Sequence, residues 1–290
     1  MPQFQQVDVF SLKKFKGNPV AVFFDADNLS TEEMQAMALW TNLSETTFVL
    51  KPSDPNADYQ CRIFTPVEEL PFAGHPTIGT CYAVTSSGLV KPKNGKVIQQ
   101  CKAGLVELTI DESGVEFKLP YYHFSAIDQA TTDEVAKAVD STAILAPGVL
   151  VDDGPKWACF ELKSGEDVMK AIPNWAFISK VSTENGWTGI ELFGKYSDGT
   201  YELRNLAPGT GVAEDPVCGL GLGALGATIS QYTKRNETQF SIRQGRPIGR
   251  DGHISVRVED ANVYVKGKAT TIINGTYWFF TKMHINSALS

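Results

Sequence analysis

Short stretches in which apolar and polar residues alternate run through the chain and predict many β-strands. Residues 5–10 and 20–24 are the first two, and a Gly-Asn-Pro turn separates them. Further strands are predicted at 47–51, 59–64, 96–100, 105–110 and 115–119, and then at 189–193, 201–205, 240–243, 254–258 and 263–266. These patterns favour an antiparallel sheet.

Capping motifs predict where several helices begin. Ser30 and Glu33 form a capping box before residues with helical periodicity, so a helix is expected to begin at Ser30. Similar motifs at Thr131 and Ser164 predict two more helix starts, and Pro173 is expected to end the helix that follows Ser164.

Two glycine-centred turns divide the chain into similar halves. Gly74 in the first turn and Gly219 in the second are 145 residues apart in a chain of 290. Each turn follows an acidic stretch and precedes small, mostly apolar residues, at 77–85 and at 222–232, which predict helices buried on most sides. The turns therefore indicate an internal duplication.

Two further matches follow the same order along the chain. Residues 59–66 read like 201–208 at an offset of 142, and 115–117 read like 263–265 at an offset of 148. The drifting offset indicates loops of different length in two copies of one unit. Chance similarity of short strands is the alternative, and three matches in one order favour duplication.

The expected fold class is α+β, with two pseudo-symmetric domains. Each is expected to be an antiparallel β-sheet or barrel curled around a central α-helix. Residues 1–122 are predicted to form the first domain and 130–286 the second, and the two are expected to superpose.

Composition excludes several classes of protein. A net charge of −7 and short lysine runs beside Gly and Pro turns argue against nucleic-acid binding. The N-terminus lacks the apolar core of a signal peptide, and no apolar run approaches membrane-spanning length, so a cytoplasmic protein is expected. Five cysteines without CxxC spacing and four scattered histidines indicate neither a disulfide framework nor a metal site.

Three side chains are candidates for chemistry, and two of them lie beside the glycine turns. Glu45 lies between the first predicted helix and a strand, where a carboxyl is ordinarily solvated but, wedged between apolar segments, can have a raised pKa. His75 follows the first turn glycine, and Asp215 precedes the second turn. The ordinary explanation of His75 is capping of the local backbone, and that of Asp215 is a favourable acid at a helix start; together they are placed to bracket a polar substrate.

The turns themselves predict an anion site. Backbone N–H groups and the positive dipole end of each helix are expected near Gly74 and Gly219, so the two ends can bind one anion. A nicotinamide or flavin site is disfavoured. The letters of the dinucleotide motif occur at Gly221, Gly223 and Gly226, but no strand precedes them and no acid follows at the ribose-binding distance.

Four motifs give the chain a resemblance to a known family over essentially its whole length. They are GNPVAVF at 17–23, SETTFV at 44–49, ELPFAGHPTIG at 69–79 and EDPVCG at 214–219. In this order and spacing they resemble the phenazine-biosynthesis PhzF-like proteins, relatives of diaminopimelate epimerase and proline racemase.

The resemblance implies a diaminopimelate epimerase-like fold with the active site in the cleft between the domains. It implies no cofactor and no metal, and many members form homodimers. It also implies that Glu45 shuttles a proton between carbon atoms of a cyclic acid, while His75 and Asp215 hold and polarise the substrate. The residues that it assigns to substrate binding are Asn18, Gly74, Cys218 and Gly219.

Two departures from the family limit this transfer. Epimerases and racemases place cysteines at the positions of Ala73 and Cys218, and this chain has the second alone, which excludes the two-thiol mechanism. At Leu220 the phenazine enzymes usually have a serine, so the phenazine precursor is not the expected substrate.

The function expected from the sequence is a cofactor-independent isomerase that transfers a proton on a small carboxylic acid, cyclic in the enzymes it resembles. One alternative is a one-base epimerase or racemase, and another is a non-catalytic binding protein that keeps the fold. The expected partners are a small carboxylate and a second copy of the chain, with no nucleic acid and no membrane.

Overall fold

A computed structural model describes residues 1–141, 143–210, 213–233, 235 and 237–278, with backbone alone at 210 and 220. In this part of the chain, 18 strands join one strongly curled sheet, and six α-helices pack against it. Among the described residues, every helix is too short or too polar to cross a lipid bilayer.

The first half of the chain supplies nine strands and two helices. The strands are β1 (Gln3–Val9), β2 (Asn18–Phe23), β3 (Glu45–Leu50), β4 (Tyr59–Phe64), β5 (Glu69–Leu70), β6 (Lys96–Cys101), β7 (Gly104–Asp111), β8 (Gly114–Lys118) and β9 (His123–Ala126). The helices are α1 (Thr31–Thr41) and α2 (Gly74–Ser86).

The second half supplies the remaining nine strands and four helices. The strands are β10 (Val149–Asp152), β11 (Lys156–Glu161), β12 (Gly189–Lys195), β13 (Tyr201–Leu206), β14 (Glu214–Asp215), β15 (Gln239–Gln244), β16 (Gly252–Glu259), β17 (Asn262–Gly267) and β18 (Ala269–Thr276). The helices are α3 (Gln129–Ala138), α4 (Gly165–Lys170), α5 (Trp175–Asn185) and α6 (Gly219–Ala227).

Strand pairing repeats in the same order in both halves. β2 pairs in parallel with β3, β3 pairs antiparallel with β4, and β4 continues to β5 and β6. β11, β12, β13, β14 and β15 pair in the same pattern. Antiparallel meanders, β6–β7–β8 and β15–β16–β17, follow in each half. This repetition confirms the predicted α+β fold with two pseudo-symmetric units.

An Arg–Glu ion pair is also duplicated, buried in the second unit and partly exposed in the first. Arg62 on β4 makes a two-pronged contact with Glu69 on β5, with distances of 2.7 and 2.9 Å. Arg204 on β13 contacts Glu214 on β14 in the same way, at 3.0 and 2.8 Å. The sequence match between 59–66 and 201–208 therefore reflects an equivalent three-dimensional arrangement.

Strand pairs between the two halves link them. β9 pairs with β10, whereas the late strand β18 returns to pair with β1, and β8 pairs with β17. The predicted domain bounds, 1–122 and 130–286, stay a prediction, and residues 279–286 lie outside the described part of the chain.

Helices α2 and α6 are each buried at the centre of one unit, as predicted. Small residues bring them close to the sheet: a Cβ added to Gly79 would lie 2.5 Å from Val20 Cγ1. A Cβ added to Gly223 would lie 2.7 Å from Leu119 Cδ1. The second predicted helix, 222–232, continues beyond α6 as a π-helical turn, Thr228–Tyr232.

The helix starts test the capping predictions. Ser30 caps α1 in a complete capping box, and Ser164 caps α4, as predicted. The predicted start at Thr131 is wrong, because Asp128 accepts the Thr131 N–H and α3 begins at Gln129. Helix α5 was not predicted, although Asn174 caps it directly after the proline that was expected to end the preceding helix.

Candidate active site

The N-termini of α2 and α6 meet between the two units. Their first residues, Gly74 and Gly219, are in direct backbone contact. A Cβ on Gly219 would lie 2.4 Å from the backbone nitrogen of His75, and one on Gly74 would lie 2.9 Å from Gly219 Cα. Any side chain at either position would force the helices apart. No described residue accepts a hydrogen bond from the N–H of Gly74 or Gly219, so both donors are available.

Glu45 is the first residue of β3 and pairs with Val20 of β2, so it lies at the start of a strand and not in a loop as predicted. Its side chain is 15% exposed. Its Oε2 atom lacks a hydrogen-bond partner among the described residues. Burial raises the pKa of Glu45 to about 7, against the opposing effect of the neighbouring Ser44.

His75 lies beside this carboxyl in the first turn of α2. Its Nδ1 is 3.2 Å from Glu45 Oε2, and its Nε2 has no hydrogen-bond partner among the described residues. Burial lowers the pKa of His75 to about 4, although the charge of Asp215 and a hydrogen bond with the Pro19 backbone oppose the shift. The imidazole is therefore neutral at physiological pH, and its contact with Glu45 is not an ion pair.

Asp215 ends β14, just before α6. Its Oδ1 accepts the Val217 N–H at 3.0 Å and an Asn18 N–H at 3.2 Å. Burial raises the pKa of Asp215 to about 7, and the nearby charge of Glu45 raises it further. The structure thus brings Glu45, His75 and Asp215 into one cluster with mutually dependent charges.

Asn18 connects the two units across this cluster. Its Nδ2 donates to Asp215 Oδ1 and to the Val217 carbonyl, the latter at 3.0 Å. Its Oδ1 accepts a hydrogen bond from Ser44 at 3.3 Å. Both N–H donors of the amide are therefore used by the protein, and its predicted contact with substrate stays a prediction.

Cys218 is the N-cap of α6, and its Sγ accepts the Gly221 N–H at 3.3 Å. Burial, followed by the charges of Asp215 and Glu191, raises the pKa of its thiol well above the usual range. The thiol is therefore protonated. Ala73 occupies the equivalent N-cap position of α2, without a side-chain hydrogen bond. The side chain of Leu220, on which the sequence argument about the phenazine precursor depends, lies outside the described atoms.

Gln244, at the end of β15, is a site residue that the sequence analysis did not identify. Its Oε1 accepts the Cys218 N–H at 3.2 Å, and its Nε2 donates to the Asp215 carbonyl at 3.0 Å. A glutamine at a strand end carries no local signal for this role. Among the described residues, no group of three His, Cys, Asp or Glu side chains is arranged to hold a metal ion.

Several curated relatives of this chain are named as isomerases, and they place it in that class of enzyme. It belongs to the family described as phenazine biosynthesis-like protein (PhzC-PhzF), whose sequence model matches residues 7–275. The named enzymes of this family are isomerases.

Three relatives illustrate the similarity. The chain is 47% identical to antisense-enhancing sequence 1 of Schizosaccharomyces pombe, over 94% of this chain and 97% of that protein. It is 30% identical to the trans-2,3-dihydro-3-hydroxyanthranilate isomerase of Pseudomonas aeruginosa, over 95% and 99%. A crystal structure of a PhzF-family phenazine biosynthesis protein from Bacillus anthracis matches with a TM-score of 0.83 and 25% identity, covering 96% of this chain and 99% of that one.

Proposed function

We propose that this protein is a cofactor-independent isomerase that moves a proton between carbon atoms of a small carboxylic acid. One observation carries the proposal: Glu45 Oε2 is buried without a hydrogen-bond partner, 3.2 Å from a neutral imidazole, and the pKa of this carboxyl is raised to about 7. A carboxyl with a pKa near neutrality both accepts and donates a proton at physiological pH.

In the proposed reaction, ionised Glu45 takes a proton from a carbon atom made acidic by the substrate's own unsaturated carboxylate. The resulting negative charge spreads into that carboxylate, which the N–H groups of Gly74 and Gly219 bind. Protonated Glu45, which exchanges its proton with solvent, then protonates a different carbon, and the double bond moves. His75 and Asp215 hold the polar groups of the substrate.

The proposal extends to the partners and location of the protein. The substrate is a small carboxylate, and cyclic acids come first because trans-2,3-dihydro-3-hydroxyanthranilate is the substrate named for one relative. The net charge of −7 supports a protein that binds neither nucleic acid nor membrane. We also propose that the protein is a homodimer and that it lies in the cytoplasm.

Deuterium uptake at carbon tests this function. The protein is incubated in deuterated water with trans-2,3-dihydro-3-hydroxyanthranilate and with a panel of amino, hydroxy and cyclic unsaturated acids. Deuterium at carbon together with a moved double bond supports the isomerase. Scrambled stereochemistry without double-bond movement supports the one-base epimerase, and ligand binding without any exchange supports a binding protein.

The rate of this uptake is expected to depend on pH. Glu45 accepts a proton only when ionised, and its pKa near 7 means that the ionised fraction grows as pH rises through 7. The rate below pH 7 should therefore increase about tenfold per pH unit and level off above it. A rate that is already constant between pH 5 and pH 6 would show an unshifted carboxyl. The apparent pKa belongs to Glu45 and Asp215 as a pair.

Gly219→Asp is expected to abolish binding of a carboxylate. The new Cβ would lie 2.4 Å from the backbone nitrogen of His75, and the new negative charge would face the proposed anion site. Calorimetric titration with 3-hydroxyanthranilate, the aromatic counterpart of the named substrate, measures the loss. Gly275→Asp is the matched control because it adds the same charge where nothing lies within 4 Å. Equal affinity of wild type and Gly219→Asp would disprove the site.

A further inference from the structure

A line of buried polar side chains runs from the sheet to the turn that precedes α6. Glu191 on β12 and Gln244 are fully buried, and so is Asn205 on β13 between them. Asn205 Nδ2 donates to Glu191 Oε1, and Gln244 Nε2 donates to Asn205 Oδ1 at 2.9 Å. Gln244 in turn holds the backbone of Cys218 and Asp215.

Backbone groups determine the direction of every hydrogen bond in this line. The Cys218 N–H can only donate and the Asp215 carbonyl can only accept, so Gln244 must present its oxygen to the former and its nitrogen to the latter. Asn205 must then accept from Gln244 with its oxygen, which leaves its nitrogen to donate. Glu191 Oε1 must therefore act as an acceptor.

Helix α6 rests directly on this line. A Cβ on Gly221 would lie 2.1 Å from Glu191 Oε1 and 2.3 Å from Asn205 Nδ2. The other oxygen of Glu191, Oε2, contacts the thiol of Cys159 at 3.2 Å. Displacement of Glu191 would therefore affect both the line of hydrogen bonds and the first turn of α6.

The acid is specific to the second unit. In the register of the parallel pairs, Glu45 lies opposite Val20 and Gly189 lies opposite Trp157, so Glu191 corresponds to Thr47. The Thr47 hydroxyl instead contacts Thr80 at 2.8 Å and the Ala21 carbonyl at 3.3 Å. The carboxyl is thus not a requirement of the duplicated fold.

We propose that Glu191 is a positioning residue of the candidate active site. Through Asn205 and Gln244 it holds the turn that presents Asp215 and the N–H of Gly219. The inference rests on the proposed function for its consequence in catalysis, but the positioning itself is measurable without a substrate.

Hydrogen exchange of the Cys218 backbone amide tests the proposal. Glu191→Leu removes the acceptor for Asn205 and should speed exchange of this amide about tenfold, the scale of one lost hydrogen bond. Glu191→Gln keeps a carbonyl acceptor in the same place and should preserve the wild-type rate. Burial raises the pKa of Glu191 to about 8, so the native side chain is largely the neutral acid that Gln resembles.

Gln99→Leu is the matched control. Gln99 is a fully buried amide of the first unit, bonded to Tyr59 and to Thr77 on α2. Its loss should leave the Cys218 amide unchanged. In every variant, the exchange rate of the β7 amides serves as the measure of global unfolding.

Three results would overturn the proposal: an unchanged Cys218 amide in Glu191→Leu, equal acceleration in Glu191→Gln, or equal acceleration at Cys218 and in β7. If Glu191→Leu does not fold, Gly221→Ala replaces it, because the added methyl displaces the same carboxyl. An unchanged Cys218 amide in Gly221→Ala overturns the proposal too. A failure of the proposed function would appear separately, as absent deuterium uptake with Cys218 exchange behaving as expected.

Discussion

Glu45→Gln is expected to lower the rate of deuterium uptake at carbon by at least about a hundredfold, the usual contribution of a general acid or base. Gln keeps the shape of the side chain and its place at the start of β3 but loses the titrating group. Asp215 is the other acid of the cluster, but its Oδ1 is held by the Val217 and Asn18 N–H groups, and its proposed role is to hold the substrate.

Cys218→Thr is the informative comparison and is expected to keep most of the activity. Its thiol is held in the protonated form by burial, and its structural contact is the Gly221 N–H, which a threonine hydroxyl also accepts. Circular dichroism would show that both variants are folded. An inactive Cys218→Thr with an active Glu45→Gln would assign the chain to the epimerase mechanism and refute the proposed roles.

The duplication was predictable because it depends on local sequence. The glycine turns and the alternating strands are each defined by residues close together in the chain, so the pattern is visible in the sequence alone. The close approach of Gly74 and Gly219 explains why both turns contain glycine: a Cβ at either position would lie within 3 Å of the opposite backbone.

The remaining parts of the fold depend on contacts between distant segments. β18 pairs with β1 across almost the whole chain, and no local pattern specifies that partner. Helix α5 was missed because Pro173 was interpreted as an end, although Asn174 is a good N-cap for a new helix. A helix does form near Thr131 as predicted, but it begins earlier because Asp128 is its N-cap.

The candidate site likewise contains some residues that local sequence predicts and others that it does not. Glu45, His75 and Asp215 lie in recognisable motifs, so sequence and resemblance identified them, and the structure brings them together. Glu191 and Gln244 lie on separate strands and become neighbours of the site only through the register of β12, β13 and β15. An acid inside the apolar stretch 189–193 was the one sequence signal available, because a buried carboxyl requires a partner.

Arg204→Met is expected to reduce the free energy of unfolding by about 3–5 kcal/mol, because it leaves the Glu214 carboxylate buried without its cation. The side chains of Arg204 and Glu214 are 4% and 3% exposed. Arg204 also donates to the Ala171 carbonyl at 2.7 Å, at the C-terminal end of α4. Urea denaturation of the purified variants measures the difference.

The duplicated pair in the first unit supplies the control. Arg62→Met breaks the same two-pronged contact, but Arg62 and Glu69 are 21% and 19% exposed, so water can solvate the orphaned carboxylate. The expected loss there is about 1 kcal/mol or less. Equal losses in the two units would show that burial does not determine the strength of this contact. In the double variant Arg204→Met with Glu214→Leu, much of the stability should return, because no buried charge is left unpaired.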